Sequence, residues 1–317
     1  MSSTAQPSER AQPSNLWLAL AFGVLAISSS AIFIRLAQND GVPSLAIAAV
    51  RLSLAALLLT PFVWSRYGAH LRRLTRADLV LASASGFFLA LHFITWISSL
   101  EYTSVLISVV FVTTGPIWVA LLEMILLRAR LPRLVGVGLV IAIVGGTMIG
   151  LGGAENIQEG SNDLLGASLS LAGAIAIAMY FIIGRKLRAG LTLLPYIWLV
   201  YSCAAVFLVI GVLLTSTPLA GHPPSAYLWL IALAVFPQLV GHTSLNYAIA
   251  YLPATLVSMI TQLEPIGSAI LALILFREAP QLVQVVGSLT ILTGVILASR
   301  GQAEMSSQTH QAQKGPS

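Results

Sequence analysis

Charge is scarce in this chain: acidic and basic residues make up 9% of its 317 positions, against roughly a quarter in soluble domains. A chain so poor in charge cannot cover itself with an ordinary water-facing surface. Cysteine is nearly absent too. Cys203 stands alone, which excludes an intrachain disulfide and a cysteine metal cluster, and its apolar surroundings make it a small packing residue. Motifs that carry chemistry are missing as well. There is no P-loop, so the chain does not energise anything with ATP directly. There is no HExxH and no aspartate-rich run, which leaves the main rival reading, an intramembrane enzyme acting on a lipid-soluble substrate, without a metal set or a nucleophile with its base. No second histidine stands four residues from His92 or His242, so no structured metal site is expected, and no cofactor motif is found. A channel lacks its repeated selectivity loop. The short loops leave little surface for a non-transporting membrane scaffold.

Apolar residues are present in excess. They form 57% of the chain, and the mean hydropathy of +0.90 points to lipid as the solvent. A helix needs about 20 apolar residues to cross about 30 Å of hydrocarbon. Ten segments qualify: 15–37, 44–64, 78–98, 103–127, 133–153, 164–184, 193–215, 226–247, 253–276 and 281–299. Breakers separate them, as at Asn39 to Pro43, Arg188 to Gly190 and Pro218 to Pro224. The expected fold is therefore all-α, a polytopic membrane protein of ten transmembrane helices. The polar stretches 1–14 and 300–317 read as disordered cytoplasmic tails, and residues 154–163 as an outer linker. The first stretch lacks the features of a signal peptide, so the first span reads as retained.

Positive charge selects the side of the membrane, because Lys and Arg are retained in the cytoplasm. With the amino terminus inside, Arg66, Arg72, Arg73 and Arg76 share one inner loop, Arg128, Arg130 and Arg133 the next, and Arg185, Lys186 and Arg188 a third. The outer loops 38–43, 99–102, 154–163 and 216–225 hold no Lys or Arg. Arg277 dissents, beside Glu278. Both termini are thus expected in the cytoplasm. The pI near 9.7 reflects these loop clusters and does not indicate a nucleic-acid partner.

One pattern is written twice. The run from Pro116 to Arg128 recurs 149 positions later from Pro265 to Arg277, with seven of thirteen positions identical. Two similar five-span halves, 15–153 and 164–299, follow. Because five is odd, the second half must enter the membrane from the opposite face, so the repeat is expected to be inverted. This arrangement lets two conformations open alternately to the two sides around a cavity between the halves.

The stretch from His92 through Trp96 to Ser104 ahead of Gly115-Pro116, and Leu263-Glu264-Pro265-Ile266 followed by Phe276-Arg277-Glu278, resemble the EamA-type domains of the drug/metabolite transporter superfamily. The resemblance spans roughly residues 15–299. It implies a multi-pass carrier of the bacterial inner membrane that exports a small metabolite, such as an amino acid, an amine or a drug-like compound. The first copy has Gly115 where the second has Glu264, so an acidic role there belongs to one half.

Polar groups inside lipid call for explanation, since an ionisable residue at a helix centre costs about 2.5 to 3.5 kcal/mol on insertion scales. Gln238, His242 and Asn246 fall at i, i+4 and i+8, Thr261, Glu264 and Ser268 at i, i+3 and i+7, and His92, Thr95, Trp96 and Ser99 share a face. Glu264, near mid-membrane beside Pro265, has two uses open to it: binding an amine or exchanging a coupling proton, or bonding a neighbouring helix as a protonated acid. His92 and His242 either gate a cavity and carry protons or bridge helices. Trp96, Trp118 and Tyr180 offer flat walls to a substrate or pack against neighbours. Pro116 and Pro265 are expected to kink matching helices. Arg51 is expected to reach the interface by snorkelling, with pairing in the bundle or an anionic substrate as the alternatives, and Arg35 and Glu123 to be interfacial. Trp17, Trp64 and Trp229 read as belt residues. Gly138 and Gly145 recur as Gly287 and Gly294, with Gly146 and Gly150 adding a GxxxG. These glycines read as contacts between helices of one bundle, a homodimer face being the other use.

Overall fold

The computed structural model describes residues 12–103, 108, 111–112, 114–152, 162–276 and 281–314, and the regular structure among them is helical. The elements are α1 (Leu16–Ser28), α2 (Ser30–Asn39), α3 (Ser44–Leu71), α4 (Arg76–Tyr102), α5 (Gly115–Leu126), α6 (Arg133–Gly152), α7 (Asp163–Gly190), α8 (Leu193–Thr215), α9 (Pro224–Leu233), a π-helix (Ala234–His242), α10 (Thr243–Ala248), α11 (Ala254–Ile260), a 3₁₀ turn (Thr261–Leu263), α12 (Glu264–Phe276) and α13 (Leu282–Lys314). Among the described residues, eight helical runs are long and apolar enough to cross a membrane, and two shorter apolar helices, Gly115–Leu126 and Arg133–Ile149, accompany them.

Two expectations about element ends change. The fourth span, expected over 103–127, is helical at the described residues 108, 111 and 112, turns at Thr114 and starts a new helix at Gly115, with Pro116 in its first turn, where a missing N–H costs nothing. The tail expected to be disordered over 300–317 is helical as far as Lys314. No proline or glycine falls between Gly301 and Gly315, and Gln, Ala, Glu and Met there are good helix formers. Most of the 1–14 tail, most of the 154–163 linker, Ser104, Arg277 and Glu278 lie outside the described residues.

The chain forms two compact units, Met1–Ala90 with Tyr180–Pro253 and Leu91–Met179 with Ala254–Ser317, whose boundaries fall inside α4 and α7. In the first unit α3 packs on α8. The Trp198 indole donates to Thr60 Oγ1 at 2.9 Å, while Leu45 meets the position of a Gly211 side chain at 3.6 Å. Low numbers on one helix thus meet high numbers on the other, so the pair is antiparallel. Along α1 and α2 run α9, the π-helix and α10, also antiparallel: Asn15 accepts from the Tyr247 hydroxyl, Phe33 stacks on Trp229 at 6.1 Å, and Asp40 accepts from Ser225 at 2.7 Å. Trp229 is therefore half-buried in a stack, whereas Trp17 and Trp64 are exposed as belt residues should be.

The second unit is built on α6 and α13. A Cβ on Gly138 would lie 2.4 Å from the Gly294 carbonyl, and one on Gly294 2.5 Å from the Gly138 carbonyl. Gly145 and Gly287 repeat this reciprocal contact at 2.6 and 2.7 Å. The glycines are close contacts within one bundle, and again the helices are antiparallel. In lipid, association gains little from hydrophobicity because the tails are as apolar as the helices, so close backbone approach at small residues supplies the contact energy.

Glu123 joins α5 to α11. Expected at the interface, it is instead 4% exposed, and its carboxylate accepts from the Ala254 N–H at 2.9 Å, the Thr255 N–H at 3.0 Å and the Thr255 hydroxyl. The first N–H groups of a helix have no partner inside it, and a carboxylate satisfies them while matching the positive end of the helix dipole.

Two outcomes follow for unfolding in mixed micelles. Gly145→Ala should destabilise by about 1–3 kcal/mol, because its new methyl meets backbone that cannot yield, while Gly68→Ala, which meets nothing within 4 Å, should be neutral or mildly stabilising. Glu123→Ala should destabilise by about 2–4 kcal/mol by stranding buried donors, against about 0.5 kcal/mol or less for the exposed Glu304→Ala.

Candidate functional site

In the first unit the polar residues expected to form a stripe sit on a helix that changes its pitch. Pro237 has no N–H, and its ring crowds the carbonyl four residues back. The chain answers with nine residues of π-helix, Ala234–His242, a wide turn seen mostly as a short insertion in α-helices. Gly241 lets this wide segment lie against α1, since a Cβ there would meet Ile27 Cγ2 at 2.4 Å. Gln238 and Asn246 are fully buried and His242 is half-buried.

Arg51 corrects the reading of the second span. The sequence places it at the interface, but it is 0% exposed. Its Nε donates to Gln238 Oε1 at 3.1 Å, and Nη1 to Ser30 Oγ at 3.4 Å. Snorkelling fails because this face of α3 is turned inward against α2 and the π-helix, and because Gln238 offers a carbonyl there. Gln238 Nε2 has no hydrogen-bond partner among the described residues. The Gln238 main-chain carbonyl accepts from the Tyr201 and Thr243 hydroxyls, both at 3.5 Å.

Asn246 is the second node. Its side-chain oxygen accepts from Tyr180 at 2.7 Å and Tyr196 at 3.4 Å, and its amide donates to the Tyr201 hydroxyl at 3.3 Å. Tyr180 is thus a hydrogen-bonding core residue as well as an aromatic surface. Arg188, read as an inner-loop charge, is 2% exposed and donates from Nε to the Asn246 carbonyl and from Nη1 to the Leu191 carbonyl. Carbonyls at helix C-termini lack intrahelical donors, and the guanidinium supplies them.

In the second unit the His92 Nδ1–H donates to the Gly173 carbonyl at 2.9 Å, which fixes the ring hydrogen on Nδ1. Trp96 stacks on His92 with centroids 5.9 Å apart and planes at 10°. The absence of a side chain at Gly173 permits this, because Thr95 Oγ1 and Trp96 Cβ lie 3.1 and 3.3 Å from where one would start. Deeper along the same contact, the Ser99, Ser108 and Ser170 hydroxyls form a buried cluster, with Ser99 to Ser108 at 2.7 Å and Ser108 to Ser170 at 3.0 Å. Trp118 is half-buried and donates to Thr114 Oγ1 at 3.2 Å.

Glu264 and Pro265 open α12, directly after the 3₁₀ turn that ends α11. Pro116 likewise follows the first residue of α5, so both prolines stand second in their helices. The 3₁₀ turn interrupts the continuous α-helix assumed from the spacing of Thr261, Glu264 and Ser268. Glu264 is half-buried, and the Thr261 hydroxyl donates to the Ser258 carbonyl at 2.7 Å.

The sequence reading missed Tyr196, Tyr201 and Arg188 as members of the Asn246 cluster, and Gln238 as the partner of Arg51. An ionisable residue well inside an apolar span was the available signal. Removing one partner of a buried charged hydrogen bond strands the other, whereas removing both does not. Arg51→Met and Gln238→Leu should therefore each destabilise by about 2–4 kcal/mol, and the double variant by at least about 1 kcal/mol less than their sum. Additive losses in mixed-micelle unfolding would show the two residues to be independent.

Comparison with known proteins agrees with these observations. The chain is 21% identical over 278 residues to an uncharacterized transporter YetK of Bacillus subtilis (strain 168), covering 86% of this chain and 83% of that one. It is 26% identical over 260 residues to an uncharacterized transporter YyaM of the same organism, covering 80% and 83%. A solved crystal structure shares the fold with a TM-score of 0.77 at 16% identity, over 93% of this chain and 99% of the other. The model of the EamA-like transporter family matches twice, at residues 15–151 and 164–300. A chain of apolar helices that carries this pattern in both copies belongs to the EamA-like transporter family.

Proposed function

We propose that the chain is a secondary transporter that exports a small metabolite, such as an amino acid, an amine or a drug-like compound, across the bacterial inner membrane. It works by alternating access around a cavity between two inverted five-helix repeats, residues 15–153 and 164–299. One observation carries the reading: α3 and α8 are the same helix of the two sequence copies, as are α6 and α13, and each pair packs antiparallel. Equivalent helices that run in opposite directions are what inversion requires. The eight long runs and two short apolar helices then make ten crossings, and the loop arginines put both termini in the cytoplasm.

Within this reading, Glu264 coordinates the charged group of the substrate or exchanges the coupling proton. Thr261, Trp118, His92, Trp96, Gln238, His242, Asn246 and Tyr180 are the further candidates for polar and aromatic contacts with substrate or proton. The half-buried state of Glu264 beside a helix break supports this role, because a break exposes main-chain groups that a substrate or water must satisfy. Pro116 and Pro265 hold matching helix starts in place.

A counterflow screen of purified protein in liposomes, against amino acids, amines and aromatic compounds with and without a pH gradient, should reveal exchange of at least one compound. Glu264→Gln should abolish that exchange or uncouple it from the gradient while the protein stays folded. Unchanged uptake removes Glu264 from the mechanism, and chemical alteration of a compound without its movement replaces the carrier by an enzyme.

A further inference from the structure

The turn between α3 and α4 concentrates positive charge beyond what the fold uses. Arg66, Arg72, Arg73 and Arg76 fall within eleven residues and are all exposed. No carboxylate among the described residues engages any of the four guanidinium groups. The nearest acid in the chain, Asp78, is already committed: its Oδ2 accepts from the Thr75 N–H at 3.0 Å and the Thr75 hydroxyl at 2.8 Å. The arginines therefore meet solvent or an external anion. They are not inherited from the repeat either, because the matching stretch of the second copy, 215–225, contains no Lys or Arg.

The surroundings of the turn identify the anion. On α3 the side chains leading into it are apolar and exposed: Leu57 at 65%, Phe62 at 58% and Trp64 at 61%. On α4 those leading away are Leu79 at 47% and Val80 at 67%. Such side chains require acyl chains around them, and an exposed tryptophan favours the level where chains give way to headgroups. In a bilayer that covers this apolar band the basic turn stands at the level of the lipid phosphates, and a guanidinium presents two parallel donors that match phosphate oxygens.

We propose that the α3–α4 turn is a binding site for the phosphate headgroups of anionic phospholipid, held by Arg66, Arg72, Arg73 and Arg76. The site depends on the chain lying in a bilayer and not on its being a carrier. Placement of positive loops in the cytoplasm during insertion is a separate effect that needs no lipid bound to the finished protein.

The test uses the purified full-length chain in neutral detergent, titrated with phosphatidylglycerol or with phosphatidylcholine of the same acyl chains, with bound lipid counted by native mass spectrometry. Phosphatidylglycerol should bind at least roughly tenfold more tightly, with each arginine removed lowering its affinity about fivefold at low salt. The variant R66Q/R72Q/R73Q/R76Q should lose the preference, R128Q/R130Q/R133Q should keep it, and R72Q/R73Q gives the intermediate value should the quadruple variant not fold. Equal binding of the two lipids, or a preference that survives in the variants of this turn, overturns the proposal. So does loss of the preference on adding inorganic phosphate but not chloride of equal ionic strength, which would make the turn a site for soluble phosphate.

Discussion

At four glycines of α6 and α13, hydrogen is the largest side chain the backbone will accept. Gly138 faces the Gly294 carbonyl and Gly145 the Gly287 carbonyl, each from a distance that a methyl group would already occupy. Contacts this close fix the register of the two helices, because sliding by one residue would drive a side chain into the opposite backbone. The second unit depends on that register, since Gly301 further along α13 must also meet Leu134 and Val135. The first unit uses the same device more sparingly, where Gly23 and Gly241 let α1 lie against the π-helix. Dispersion between touching backbones replaces the hydrophobic drive that lipid removes.

Polar residues then have to be satisfied inside this close-packed frame. Arg51 finds a side-chain amide and a hydroxyl, Arg188 finds two main-chain carbonyls, and Glu123 finds the start of a helix. In each case a long charged side chain fills an unmet need of the backbone or of a buried amide. Each fixes two or more segments that are distant in the chain. Stranding either member of such a pair in a low-dielectric interior costs several kcal/mol, so these residues hold the fold even if they never touch a transported molecule.

Hydropathy and glycine spacing made the helices and the α6–α13 contact readable, because both depend on local composition and on a shift that can be counted along the chain. The rotation of each helix about its own axis was not readable. For Arg51 that rotation decides between the interface and the core, and it is set by α2 and the π-helix rather than by neighbours in sequence. Glu123 caps a helix 131 residues away, a separation that no local pattern encodes. Pro237 was visible, but whether a proline kinks a helix or widens it depends on room beside it, which Gly241 and α1 provide. The polar run after Arg300 looked unstructured because it has nothing to bury, yet residues of good helical propensity continued a helix that was already nucleated.

The wide turn also bears on the relation between the two sequence copies. Residues 85–93, the counterpart of the π-helix under the 149-residue shift, lie in α4, which is α-helical throughout. One copy therefore carries a local unwinding that its twin lacks. The two copies are not interchangeable in shape, and the difference sits at a single proline and the glycine four residues after it, where the first copy has Phe88 and His92.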